Sequence, residues 1–225
     1  MFIAHWSAAL AAGAASKSAP RLGTLFIAAQ LVDWAFFVLV IVGIEQSTYD
    51  RGTTLMMPYA LDMPITHSLM GTAGFALAYA LIVFIGMREW RPALITALVV
   101  LSHWPLDLLV HAPDLTLAGH PPMFGLGLWD HPWAAIPLEL LLTFGAFIWY
   151  ARRTIGPPGP LIVLAILLLA VQLAVWLMPH GPHTASVATA LLSLATFALI
   201  SLVAWWVGTT RRHRRKTLAV GRLGR

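Results

Sequence analysis

The sequence predicts an all-α integral membrane protein, a polytopic helical bundle with about six full transmembrane helices and a short N-terminal helix. Apolar residues make up 59% of the 225 positions and charged residues only 10%, which is typical of polytopic membrane proteins. The apolar residues form runs long enough to cross a bilayer, and the basic residues lie between alternate runs. We expect residues 1–210 to form one transmembrane domain and residues 211–225 to form a basic cytoplasmic tail.

The first apolar segment, about residues 2–18, is short and rich in alanine. We expect it to form a short or partly embedded helix whose small residues allow close packing. The full-length candidates follow it, each close to the roughly 20 residues that a bilayer core requires. They cover about residues 23–46, 65–87, 92–111, 131–151, 159–178 and 184–209.

The basic residues predict which side of the membrane each connection occupies. The connections of about residues 47–64, 112–130 and 179–183 carry only one basic residue, Arg51. Because basic loops face the cytoplasm, we expect the other connections and the C-terminus to be cytoplasmic, in a bacterial inner membrane. The C-terminal basic run would then contact anionic lipid headgroups, and nucleic acid is not an expected partner. The basic residues on this side include Lys17, Arg21, Arg88, Arg91, Arg152, Arg153, Arg211, Arg212, Arg214, Arg215 and Lys216.

One stripe of ionisable residues at membrane depth predicts a functional site, because such residues are costly to place in lipid. The end of the third long span places His103, Asp107 and His111 at steps of four residues. Each step turns an α-helix by only about 40°, so the three side chains share one face. The chain has no cysteine, so histidine and carboxylate side chains would have to hold any metal. The expected cofactor is a divalent ion, zinc above all.

Further ionisable residues fall in the same layer of the predicted topology, the outer half of the bilayer. They are His5, Asp33, Asp62, His67, His131 and Glu139, each within or beside a predicted span. The segment Thr66-His67-Ser68 could equally be a helix-capping segment, since its hydroxyls can accept backbone N–H groups. The shared depth predicts one outward-facing site built from several helices.

The spacing of the stripe limits how it could bind metal. His103 and Asp107 are one helical turn apart and could share an ion, whereas His103 and His111 are roughly 12 Å apart along the axis. Two ions with Asp107 between them would use all three residues, as in hydrolases whose metal pairs lie roughly 3.5–4 Å apart. Alternatively, one ion uses two of the three residues.

The order of these motifs resembles a known family. An early His5 and an Asp33 in an apolar run are followed by Thr66-His67-Ser68-Leu69 and Ser102-His103-Trp104-Pro105-Leu106-Asp107. Over about residues 1–115 the chain is similar to the membrane-bound metal-dependent hydrolases, which include LexA-binding inner-membrane proteins. It departs from their pattern at Asp33, which lacks a preceding proline and a second carboxylate. It departs again at Asp62-Met63-Pro64-Ile65, which replaces a His-Arg-Gly stretch.

The resemblance implies a metal-dependent hydrolase, and a more distant similarity to zinc-dependent phospholipase C favours phosphoester or lipid-like substrates. One or two ions would activate water at the His/Asp site. Asp62 or Glu139 would act as general base or orient a ligand histidine, and His131 and Arg51 would contact a lipid or small-molecule substrate. The expected metal ligands are His5, Asp33, His67, His103, Asp107 and His111.

Two other functions are compatible with the same His/Asp layer. A transporter could pass protons or metal ions through it, but the inner halves of the spans are strongly apolar and suggest no continuous path. A scaffold could use the metal only to hold helices together. Metal flux in liposomes would identify the transporter, and turnover assays would separate the hydrolase from the scaffold.

Overall fold

The computed structural model describes residues 2–181 and 186–214 and confirms the all-α membrane bundle. Within the described residues, five helical segments are long and apolar enough to cross a membrane, or six if one bent helix pair counts as a single span. In chain order the helices are α1 (His5–Ala15), α2 (Leu22–Ala29), α3 (Leu31–Ile41), α4 (Leu69–Met87), α5 (Trp90–Leu101), α6 (His103–Val110), α7 (Pro132–Arg153), α8 (Pro158–Leu177) and α9 (Val187–Thr210).

Local sequence signals explain where several helices begin. The Ser68 hydroxyl accepts a hydrogen bond from the Gly71 N–H at 3.0 Å, which satisfies one of the N–H groups left over at the start of α4. Helices α7 and α8 begin at Pro132 and Pro158, whose fixed φ and missing N–H suit the first helical turn. Ser186 caps α9 through its side chain.

The first long span, predicted as a continuous helix over about residues 23–46, is instead two helices. Helices α2 and α3 are bent by 53° relative to each other, with Gln30 between them. The Gln30 side-chain amide donates to Asp33 Oδ2 at 2.6 Å, and the Ala29 carbonyl accepts from a histidine on another helix. These contacts satisfy polar groups around the break. The hydropathy of the sequence does not reveal the break, because the residues on both sides of it are apolar.

The third predicted span, about residues 92–111, is also interrupted. Helices α5 and α6 meet at Ser102 and together form one candidate span, Trp90–Val110. His111 lies beyond the helix with extended backbone, at φ −64° and ψ 147°. The stripe predicted for His103, Asp107 and His111 is therefore helical only as far as Val110.

The short N-terminal helix α1 lies inside the bundle and packs against α7 and α2. Trp6 and Leu10 on α1 have none of their surface exposed. Helices α2 and α9 also approach each other closely at a small residue, since a Cβ added at Gly23 of α2 would lie 2.7 Å from the Trp205 Cβ on α9. Helix α1 is thus a buried core element, because short apolar helices can be shielded by longer ones around them.

Exposed apolar side chains cover the outside of the bundle. Leu77 on α4, Ile166 on α8 and Leu202 on α9 each expose more than half of their surface. An apolar surface this extensive on the outside of long apolar helices is suited to lipid, because hydrocarbon tails solvate such side chains.

Short antiparallel hairpins connect the helices at one end of the bundle, which we call the hairpin end. Strands β1 (Gln46–Tyr49) and β2 (Tyr59–Asp62) pair there, as do β3 (Leu115–Thr116) and β4 (Met123–Phe124). A single 3-10 turn, Leu128–Asp130, precedes α7. The hydropathy pattern predicts only loops in these segments.

The opposite end of the bundle, the basic end, carries Arg21, Arg153 and Arg211. Strand β5 (Thr154–Ile155) pairs there with β6 (Arg212–His213). The Arg211 guanidinium donates to the carbonyls of Thr154, Gly156 and Pro157 at about 3.1 Å. The beginning of the predicted tail is therefore held against the bundle, and residues 215–225 lie outside the described part of the chain.

Candidate metal centre

The six residues predicted to bind metal converge at one place near the hairpin end. They come from α1, α3, α6, the residue after α6 and the segment before α4, and they are His5, Asp33, His67, His103, Asp107 and His111. Five of the side chains expose 5% of their surface or less, and Asp33 exposes 17%. We refer to these six residues as the His/Asp cluster.

The Asp107 carboxylate lies at the centre of the cluster, and its two oxygens face different histidines. Oδ1 lies 3.1 Å from His5 Nε2 and 3.6 Å from His111 Nε2. Oδ2 lies 3.0 Å from His103 Nε2 and 3.8 Å from His67 Nε2. Asp107 therefore joins two pairs of imidazoles.

Asp33 belongs to the second of these pairs. Its Oδ1 lies 3.3 Å from His67 Nε2 and 3.7 Å from His103 Nε2. Its other oxygen accepts the hydrogen bond from Gln30. The side of the cluster around Asp107 Oδ2 thus has two imidazoles and two carboxylates, whereas the side around Oδ1 has two imidazoles and one shared carboxylate.

Hydrogen bonds on the far side of two rings, those of His103 and His111, assign their protons. His103 Nδ1 lies 3.1 Å from the Ala29 carbonyl, and His111 Nδ1 lies 3.0 Å from Asp114 Oδ1. Both partners can only accept, so each Nδ1 carries the proton and donates it. In a neutral ring of this tautomer, Nε2 has a lone pair directed into the cluster.

His67 is oriented through a hydroxyl and a buried carboxylate. The Thr66 hydroxyl donates to Glu45 Oε2 at 2.6 Å, so its oxygen accepts from His67 Nδ1 at 2.8 Å. Glu45 Oε1 accepts the backbone N–H groups of Ile65 and Thr66, each at 2.9 Å. This chain of hydrogen bonds directs the His67 Nε2 lone pair into the cluster, in the way that carboxylates orient histidine ligands of metals.

The resulting arrangement places nitrogen lone pairs against carboxylate oxygens. Two such acceptors repel each other at 3.0 Å unless a proton or a metal ion lies between them. Within the described part of the chain, His103 Nε2 is buried and makes no hydrogen bond of good geometry, although it is 3.0 Å from Asp107 Oδ2. A nitrogen in this state fits a metal ligand.

The distances also fit a metal ion. Two ligand atoms at about 2.0–2.1 Å from a tetrahedral ion lie about 3.3 Å apart. The N···O separations around Asp107 and Asp33 run from 3.0 to 3.8 Å. Two groups, His5–His103–Asp107 and Asp33–His67–His103, each have ligand atoms that all lie within 4.8 Å of one another. The cluster thus has suitable donor atoms at suitable spacing.

Ring contacts hold the imidazoles in place. His5 and His103 stack with centroids 3.8 Å apart and planes inclined by 4°. His111 lies 4.5 Å from the Trp129 ring, and Phe36 meets the edge of His67 at 5.4 Å. Packing of this kind reduces the freedom that the side chains would lose on binding an ion.

Three residues predicted to act in catalysis or substrate binding lie away from the cluster. Asp62 is exposed on β2, where it pairs with Gln46. Arg51 is exposed after β1 and donates to the Tyr49 hydroxyl, and His131 is exposed before α7. Asp62 and His131 were selected by their predicted depth and Arg51 as the one basic residue of the outer connections, and neither criterion determines the direction of a side chain in a loop.

Glu139 is buried but supports α1. Its Oε1 lies 2.6 Å from the Phe2 N–H and 3.4 Å from the Ala4 N–H, while Oε2 accepts from Gln172 at 3.2 Å. These N–H groups precede α1 and have no helical acceptor of their own. The geometry gives Glu139 a role in anchoring the segment before His5, and gives no support to the predicted role as a general base.

Several contributors were not predicted as parts of the site. Glu45 follows the apolar run of α3, and Asp114 follows His111 by three residues, a spacing at which two side chains can form a pair. His180, in the segment after α8, is half-buried, with Nδ1 3.1 Å from the Tyr59 hydroxyl, and burial lowers the pKa of this histidine.

Comparison of the chain with models of protein families, with curated proteins and with solved structures gave no match. The similarity to membrane-bound metal-dependent hydrolases therefore stays a prediction from the quoted motifs. The functional interpretation below depends on the geometry of the cluster.

Proposed function

We propose that this protein is a membrane-embedded hydrolase whose His/Asp cluster binds two divalent metal ions, with zinc as the expected metal. The division of histidines between the two oxygens of Asp107 carries this proposal. One ion would be held by Asp107 Oδ1 with His5 and His111, the two imidazoles that face this oxygen, although His5 also forms a compact group with His103 and Asp107. The other would be held by Asp33, His67, His103 and Asp107 Oδ2. Imidazole and carboxylate donors at buried positions are the ligands that catalytic zinc takes in proteins lacking cysteine.

A divalent ion at such a site lowers the pKa of a coordinated water towards neutrality and polarises the scissile group. In the hydrolysis we propose, the water oxygen bonds to the phosphorus or acyl carbon of an ester. The bond to the leaving oxygen breaks, and that oxygen takes up a proton. The protein contributes by holding the donor atoms in place and by presenting Asp33, the most exposed acid of the cluster, to the adjoining cavity.

The packing between the cluster and the basic end supports hydrolysis rather than transport. Leu10 on α1 and Leu25 and Phe26 on α2 are fully buried in the apolar core of the bundle. A proton or ion path would need polar side chains or water to replace hydration along its length. Apolar packing of this kind favours a site that is reached from one side only.

Metal content measured on protein purified without chelator tests the proposal. We expect a ratio near two for the wild type and near one for either His111→Ala or His67→Ala, because each removes a ligand from a different ion. Asp107→Ala, which removes the shared carboxylate, should reduce the ratio below one. His131→Ala is the matched control, since this exposed histidine lies outside the cluster and should leave the ratio near two.

Turnover provides the second measurement. Metal-loaded wild type should hydrolyse a p-nitrophenyl phosphate ester or an ester lipid, and Asp107→Ala should not. A metal ratio near zero in the wild type would refute the metal-based proposal. Metal-loaded protein without hydrolysis, but with Asp33-dependent metal flux in liposomes, would identify a transporter instead.

A further inference from the structure

A cavity of about 210 Å³ adjoins the cluster and extends towards the ends of α8 and α9. His5, Asp33, His67, Asp107 and His111 all lie on its wall. For comparison, an engineered apolar cavity of about 150 Å³ in another protein binds benzene. The space beside the cluster is therefore large enough for a hydrocarbon segment.

The wall away from the cluster is apolar and largely aromatic. Phe36 and Phe37 come from α3, Phe197 from α9, and Val175 and Met178 from the end of α8. Phe197 packs against Phe37 with ring centroids 5.8 Å apart, so these rings form a continuous surface. Such a surface suits an alkyl chain, because burying apolar area away from water is favourable.

Polar lining residues lie near the hairpin end. Tyr59 from β2 and His180 from the segment after α8 are hydrogen-bonded to each other on the cavity wall. Ser193 lies on α9, one turn before Phe197. Of the described residues that line the cavity, none is lysine or arginine. No lysine or arginine among the described wall residues could therefore pair with a substrate that carries many negative charges. The lining instead suits an amphiphile, a molecule with one polar group at the cluster and an apolar part along the wall.

We propose that this cavity binds the hydrocarbon chain of an amphiphilic phosphate ester, whose phosphate lies at the His/Asp cluster. The inference rests on the proposed function for the identity of the polar group. The cavity is formed by helices that are exposed to lipid on their other faces, as Val38 of α3 and Leu192 of α9 show. The cavity therefore lies one helix away from the surface that faces lipid.

Binding of radiolabelled butyl phosphate and octyl phosphate to protein in nanodiscs tests the proposal, with empty nanodiscs subtracted. Affinity, referred to the free aqueous concentration of the alkyl phosphate, should rise by about fourfold for each methylene that is buried, until the cavity is filled. Ser193→Trp should fill the cavity and remove the preference for octyl phosphate while leaving the metal ratio unchanged. Ala195→Trp, on the exposed side of the same helix, is the matched control and should keep the preference.

The outcomes separate this inference from the proposed function. A chain-length preference that Ser193→Trp abolishes, and that persists in metal-free protein at lower overall affinity, supports the cavity assignment even if no ester is hydrolysed. Equal affinity for the two alkyl phosphates in the wild type overturns it, as does a preference that Ser193→Trp leaves intact. In that case hydrolysis of short esters would show that the proposed function stands without the chain-binding cavity.

Discussion

The hydroxyl of Thr66 determines which nitrogen of His67 faces the cluster. Because the Thr66 proton is directed to Glu45, the hydroxyl oxygen must accept from His67 Nδ1. His103 and His111 are oriented in the same way, because their Nδ1–H groups donate to the Ala29 carbonyl and to the Asp114 carboxylate. Three of the four imidazoles are thus oriented by a hydrogen bond from Nδ1, which leaves Nε2 facing the cluster.

Thr66→Val tests this positioning role. The substitution keeps the shape of the side chain but removes the acceptor for His67 Nδ1, so the ring no longer has a preferred tautomer. We expect metal affinity to fall by about 10- to 100-fold, the usual effect of losing a residue that orients a ligand. Competition with a chromophoric zinc chelator would measure it.

Thr96→Val serves as the control for that experiment. Thr96 is fully buried on α5, and its hydroxyl bonds only to the carbonyls of Pro92 and Ala93 in the same helix. The Thr96→Val protein should bind metal with the wild-type affinity. Equal losses in the two variants would mean that the effect comes from general destabilisation and not from the orientation of His67.

At the scale of single elements, α1 depends on α7 for its position. No described side chain within α1 caps its own N-terminus, and the buried Glu139 carboxylate of α7 accepts the N–H groups of Phe2 and Ala4 instead. A negative group at this end of a helix is also stabilised by the helix dipole. Since His5 is the first residue of α1, this contact positions a proposed ligand.

Two substitutions at Glu139 distinguish anchoring from catalysis. Glu139→Leu leaves buried N–H groups without an acceptor, at a cost of about 1–3 kcal/mol for each group. We expect a lower thermal unfolding transition in detergent and weaker metal binding. Glu139→Gln keeps one acceptor oxygen and should retain most of the stability, the metal and the turnover. Loss of turnover in Glu139→Gln with two ions still bound would show that Glu139 is a general base after all.

The break between α2 and α3 also contributes to the site. Ala29 is the last residue of α2, so its carbonyl is among those that the helix leaves without a partner. His103 uses this carbonyl as the acceptor for Nδ1. Gln30, the next residue, donates its side-chain amide to Asp33 in the first turn of α3. An uninterrupted helix would have taken up this carbonyl in its own hydrogen-bond ladder.

At the scale of the whole molecule, the cluster and the basic residues lie at opposite ends of the bundle. Glu45, Thr66 and Asp114, which support the cluster, belong to the hairpin end, whereas Arg21, Arg153 and Arg211 lie at the basic end. The positive-inside rule then predicts that the cluster faces away from the cytoplasm.

Cysteine labelling in intact cells tests this orientation, and the absence of cysteine from the chain makes single-cysteine variants unambiguous. Leu55 at the hairpin end and Ile155 at the basic end are both exposed apolar residues and form a matched pair. Leu55→Cys should react with a membrane-impermeant maleimide, and Ile155→Cys should react only after permeabilisation. The reverse pattern would place the cluster on the cytoplasmic side.

The membrane fold was predictable because a bilayer imposes simple requirements on length and hydropathy. Five predicted spans correspond to long helices or, for Trp90–Val110, to two helices in sequence. The members of the His/Asp cluster were identifiable for a similar reason, since ionisable residues at membrane depth are rare enough to stand out. His5 and Asp107, which are far apart in the chain, were grouped by their predicted depth, and the four-residue spacing of His103 and Asp107 and the order of the motifs were further signals.

Tertiary structure alone decided how these residues are arranged around each other. The bend at Gln30, the two faces of Asp107 and the Glu45–Thr66–His67 hydrogen bonds depend on contacts between distant segments. Depth also gave no sign that Glu139 accepts the N–H groups before α1, because a carboxylate at the right level can point to a backbone N–H as readily as to a reactive site. Hydropathy records how costly a residue is to bury, whereas its role depends on the atoms that its side chain meets.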